Sequence, residues 1–162
     1  MSERPVRDRD LAGRPRNARP RDALGRPLPR DSAGEPQLPD HPALPPDAAI
    51  DFAQELIDSG LAFSAHEVLE ASWKAAPPAE RGLWQGLAQL AVGLTHVQRG
   101  NARGAAALLR RGGQRVASYS ASPPHGIHAA EVASWAAGLA DVIERDGLSA
   151  AARPARQLRL RG

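Results

Sequence analysis

From Pro46 to Gly147 the apolar residues of this chain return every third or fourth position and never alternate over the length of a strand. That spacing prescribes helices that each bury one face, and it argues against a sheet. Glycine and proline cut the pattern at Gly60, Pro77-Pro78, Gly100, Pro123-Pro124 and Gly147. Five helices are predicted between these breaks. The first begins at Pro45-Pro46-Asp47, with Asp47 as its N-cap, and ends at Gly60. The second follows Ser64 and stops at about Ala76. The third spans about Ala79 to Arg99, the fourth Ala102 to about Tyr119, and the fifth about Ile127 to Asp146.

The second helix concentrates the chemistry. Ser64 followed by Glu67 has the spacing of a capping box. Ala65, Val68, Leu69, Ser72 and Ala76 share one stripe, read as the core face, and His66, Glu70 and Trp73 form a second stripe beside it. His66 and Glu70 stand at i and i+4, close enough to reach one metal ion or one proton. His-Glu-x-x-Glu is similar to the His-Glu-x-x-His zinc helix, with Glu70 in place of the second histidine. The competing reading is structural: a half-buried His66 bonded to a polar partner, and Glu70 paired with Lys74 one turn on.

On the third helix, Leu83, Leu87, Leu90, Leu94 and Val97 face one way, and Trp84, Ala88, Ala91 and Thr95 face the other, so burial on more than one side is expected. Gly82, Gly86 and Gly93 lie between them. Glycines on one side of a helix predict a second backbone passing close by. Gln85, Gln89 and His96 then form a polar seam next to that contact, with the His66–Glu70 stripe as its expected partner. His125 and His128 are further candidate ligands, or loop and cap residues. Arg103, Arg110, Arg111 and Arg115 line the outer side of the fourth helix, where a solvated face is expected.

The net charge of +3 is carried by the flanks. Residues 1–46 hold nine arginines against seven acids, ten of the fifteen prolines and no aromatic residue. Such a leader is expected to be disordered or extended on the domain, with Leu24, Leu28, Leu38 and Leu44 as anchors. Its two Gly-Arg-Pro copies, Gly13-Arg14-Pro15 and Gly25-Arg26-Pro27, lack the preceding arginine of a minor-groove hook. Residues 47–147 form the helical domain, and 148–162 read as a frayed basic tail. Because residues 47–152 are net acidic, nucleic acid is not the expected partner. The chain has no cysteine, no apolar run long enough to span a membrane and no apolar signal segment, so a cytoplasmic protein is expected.

Gly60-Leu61-Ala62-Phe63-Ser64-Ala65 and Gly100-Asn101-Ala102-Arg103-Gly104-Ala105 repeat Gly-x-x-x-x-Ala at an interval of 40 residues, each between two amphipathic helices. The expected fold is an all-α compact bundle of about five helices: two tetratricopeptide-like hairpins and a closing C-terminal helix. Phe63, His66-Glu67-Val68-Leu69-Glu70, Trp73, the Trp84-to-Ala91 segment, His96 and Arg99-Gly100-Asn101-x-x-Gly104-Ala105 together resemble the prokaryotic family called domain of unknown function 309. The leader from Arg14 to Pro29 is similar to those of actinobacterial members. The resemblance implies an all-α bundle and no established activity; members carry the label of predicted metal-dependent hydrolases. It marks His66, Glu67, Glu70, Gln85, Gln89 and His96 as signature positions, and His128 stands where members tend to have an aspartate.

Two functions are weighed on these grounds. In the first, a metal-dependent hydrolase, His66, Glu70 and His96 hold zinc or another divalent ion, and Glu67, or Gln85 with Gln89, orients water or substrate. In the second, a non-catalytic binding or scaffold module, the same cluster with Trp73 is a polar seam that fixes helix register. A protein partner or a homo-oligomer fits the second.

Overall fold

The computed structural model describes residues 43–162. The Gly-Arg-Pro copies of the leader and the expected anchors Leu24, Leu28 and Leu38 lie outside those residues. Six helices follow one another: α1 (Pro46–Asp58), α2 (Ala62–Ala75), α3 (Arg81–Arg99), α4 (Ala102–Ala117), α5 (Ala129–Asp146) and α6 (Leu148–Ala155). Single 3-10 turns, Pro78–Glu80 and Pro124–Gly126, precede α3 and α5. No strand occurs among the described residues. The all-α bundle expected from periodicity is what the chain forms. None of its described helices is long and apolar enough to cross a membrane.

Each helix packs mainly on its neighbour in sequence, and α3 and α4 meet most extensively. The cause is visible at the glycines. A Cβ on Gly86 would lie 2.9 Å from the Arg115 Cβ and 3.0 Å from the Gly112 carbonyl oxygen, and one on Gly112 would lie 2.7 Å from the Gly86 oxygen. The two backbones therefore cross where neither residue has a side chain. The close approach expected of the α3 glycines exists, and the backbone that comes close is that of α4. Gly112-Gly113 does not break α4, which runs unbroken through both. Leu83, Trp84, Leu87 and Leu90 of α3 are all buried, so α3 is enclosed on two sides as its sequence predicts.

The 40-residue repeat is a repeat of turns. Gly60 (φ 78°) and Gly100 (φ 80°) both take the left-handed conformation after a helix. Leu61 N donates to Leu56 O at 2.8 Å and Asn101 N to His96 O at 2.9 Å, while Gly60 and Gly100 donate to Ile57 O and Val97 O. This is the same Schellman closure twice. It differs in what starts the next helix. Asn101 Oδ1 accepts from Gly104 N at 3.0 Å and caps α4. At α2 no side chain caps the start, which falls on Ala62 with Ser64 already inside the helix, so the expected capping box does not form. Pro45 likewise takes the N-cap position of α1, and Asp47 sits in the first turn.

The largest departure from the sequence reading is beyond Gly147. Residues 148–155 are the helix α6, and Leu158 and Leu160 are each 1% exposed. The tail expected to fray is packed. Two of its arginines, Arg159 and Arg161, hold carboxylates on α1.

Candidate functional site

Among the half-buried residues of α3, Gln85, Gln89, Val92, His96 and Arg99 fall on one lane, while Val97 lies off it. They recur every three or four positions, so they share one side of the helix. Everything else on α3 between Leu83 and Thr95, apart from these, is buried. The lane is bordered by two helices. On one border α2 presents half-buried Phe63, His66, Glu70 and Trp73. The Arg99 guanidinium reaches across to the Phe63 ring at 5.8 Å, and the Phe63 and His66 rings are 5.5 Å apart. On the other border α4 brings Arg115 against Gly86, between Gln85 and Gln89.

His66 Nε2 stands 3.3 Å from Glu70 Oε2, and Lys74 Nζ 3.2 Å from Glu70 Oε1. The i,i+4 spacing read from the sequence thus brings His66 and Glu70 together, and Lys74 completes a line of three along α2. Glu67 is half-buried on the next side of the same helix. Trp73 is half-buried and packs against the core.

His96 is held differently. Asn101 Oδ1 is engaged by Gly104 N, so the other end of that amide points its N–H group at His96 Nδ1, 3.1 Å away. Only a neutral imidazole with its proton on Nε2 accepts such a bond. Burial, and secondarily the charge of Arg99, lowers the His96 pKa and favours the same state. Among the described residues no group of three or more His, Asp or Glu side chains is placed to hold a metal ion. His96 therefore does not join His66 and Glu70 as the ligand set that the sequence suggested.

Gln89 is where the lane keeps a polar atom unpaired. Gln89 Oε1 is buried and has no hydrogen-bond partner among the described residues, as is true of Ser72 Oγ on α2. A buried acceptor left unpaired costs about 1–3 kcal/mol, so the Gln89 amide is an unrelieved point of the lane.

Other clusters escaped sequence reasoning. His125 takes φ 58° and donates from Nε2 to Glu80 Oε1 at 2.8 Å, tying the turn before α5 to the turn before α3. No spacing rule links residues 45 apart. His128 is the N-cap of α5. A separate cleft of about 720 Å³ lies among α1, α3 and α6, walled by Ile57, Leu94, Val97 and Leu148.

Residues 50–108 match the family described as Domain of unknown function (DUF309). That segment runs from the middle of α1 to the first half of α4 and contains the whole α3 lane. The chain is similar to Uncharacterized protein YpuF of Bacillus subtilis (strain 168), at 43% identity over 65 residues. The match covers 40% of this chain and 37% of the length of that relative. No solved structure matches the chain.

Proposed function

We propose, for a chain whose residues 50–108 place it with the domain of unknown function 309 family, a non-catalytic module that binds an extended peptide along the α3 lane. The observation that carries this reading is the buried, unpartnered Gln89 carbonyl oxygen in a continuous half-buried lane. Spacing supports it. Gln85 and Gln89 stand one turn apart, a rise of ~6 Å along the helix. An extended peptide presents backbone groups on one side every second residue, about 6.6 Å apart. Two adjacent side-chain amides, each with a donor and an acceptor, suit such a backbone. Arg115 on one border and Glu70 on the other supply opposite charges for flanking side chains.

The test is selection of binders from a displayed library of random peptides, followed by fluorescence anisotropy with the selected peptide. Replacing Gln85 and Gln89 together by leucine is expected to weaken binding by ~10-fold or more, since each lost hydrogen bond is worth about 1 kcal/mol. Selected peptides that bind the double variant as tightly as the parent overturn the proposal.

A divalent-metal hydrolase needs about three protein ligands and an open position for water. His66 and Glu70 supply two, and the described residues place no third His, Asp or Glu with them. The binding module is therefore the reading preferred here. Calorimetric titration with zinc separates the two: stoichiometric uptake abolished by His66→Ala would restore the hydrolase.

A further inference from the structure

After α6 the chain turns at the exposed residues Arg156 and Gln157 and runs along α1. From there burial alternates: Leu158 and Leu160 are buried, Arg159 is exposed and Arg161 half-buried. That is the period of an extended segment with one face against a groove. The groove has specific chemistry. Gln54 Nε2 donates to Leu158 O at 3.1 Å, and Gln54 Oε1 accepts from Leu160 N at 2.9 Å, so one side-chain amide holds the segment's backbone from both sides of Arg159. On the opposite side His128 N donates to Leu160 O at 2.9 Å. Arg159 donates to Asp58 at 3.0 Å, and Arg161 donates to Asp47 at 2.8 Å and to Asp51 at 2.6 Å. Backbone, apolar and charged groups are all matched.

We propose that this α1 groove is a self-association site, in which a second copy of the chain inserts its own residues 157–162 in exchange for the resident segment. Every copy carries the identical segment, so every contact above is remade in the exchanged pair. Only the backbone at Arg156 and Gln157 has to change, and both residues lie exposed at the turn. Exchange of an identical element between protomers is a low-cost route to a dimer, with a reciprocal interface. This proposal rests on α1 and the 157–162 segment, and it stands or falls independently of the α3 lane.

Charge reversal tests it without relying on the unmodified chain alone. One variant carries Asp47→Lys and Asp51→Lys in the groove. The other carries Arg161→Glu in the segment; Arg159 is kept because its partner Asp58 is unaltered in both variants. Either alone sets like charges against each other when its own segment docks. Mixed, the lysine groove receives the glutamate segment of the other copy, and the unaltered groove receives the unaltered arginines. Asp47 and Asp51 are largely exposed, so the reversal buries no charge. Light scattering is expected to show monomers for each variant and a 1:1 heterodimer of twice the mass on mixing. Two folded variants, by circular dichroism, that stay monomeric when mixed overturn the proposal. Should one variant fail to fold alone, co-expression takes its place: recovery of both chains in one soluble dimer supports exchange, and failure of both to become soluble together contradicts it.

Discussion

At residue scale the structure separates glycines that are required from one that is not. Gly86 and Gly112 mark the crossing of α3 and α4, where a methyl group on either meets the opposing backbone oxygen at 3.0 or 2.7 Å. Alanine at Gly112 is expected to cost ~1–3 kcal/mol by overpacking. Gly138 on the exposed side of α5 has nothing within 4 Å of its Cβ position. Alanine there is expected to add ~0.5–1 kcal/mol, because helix-interior glycine is the poorer helix former. Urea unfolding of the two variants should give shifts of opposite sign. His96 makes a second residue-scale prediction. Its folded-state pKa lies below the unfolded value of about 6.5, so the unfolded chain takes up the proton first as pH falls. The contribution of a neutral His96 is complete above about pH 6.5 and is lost as pH drops toward the folded pKa. Unfolding free energies between about pH 7 and 5 should fall less steeply in His96→Gln than in the parent. Equal slopes would mean that the Asn101 bond does not depend on the imidazole being neutral.

At the scale of elements, what was legible in the sequence was whatever repeats locally. The helix period, the breaks at Gly60 and Gly100 and the His66–Glu70–Lys74 line each rest on residues close together in the chain, and all were readable. The Ser64 cap does not form because the chain enters the helix directly after Leu61, which starts α2 at Ala62, three residues before Ala65. The partner of the α3 glycines was not legible, because a small-residue face says that a backbone comes close without saying whose. The packing of the segment beyond Gly147 is hidden for a different reason: four arginines in ten residues mask two leucines that alternate with them. The period-two signal of Leu158-Arg159-Leu160-Arg161 was present, but it has meaning only beside acidic α1. Since Leu158 and Leu160 are fully buried, each leucine-to-alanine change should cost ~2–5 kcal/mol, as core truncations do. The corresponding Arg159→Ala should cost ~1 kcal/mol or less, being an exposed pair. Denaturant midpoints that rank the two in the other order would show the segment to be held by charge.

On the scale of the whole molecule, the bundle is stitched at both ends. Arg161 reaches back 114 residues to Asp47, so α1 is fixed by α2 on one side and by the chain's last residues on the other. At the far side Arg110 of α4 binds Glu144 at 2.7 Å and Asp141 at 2.7 Å on α5, and the pairing lowers the Glu144 pKa. These bonds are exposed and add little stability; their effect is on which helices stay together. Between the two stitched ends lies the α3 lane, bordered by α2 and α4, where the buried Gln89 Oε1 has no partner among the described residues. If that amide is kept for a ligand, removing it should leave the empty molecule no weaker, because an apolar side chain of similar size relieves an unpaired acceptor. The unfolding free energy of Gln89→Leu in urea is the most direct measure of this. A value equal to or above that of the parent is predicted, and a loss of more than ~1 kcal/mol would make Gln89 a structural bond of the bundle and contradict the binding lane.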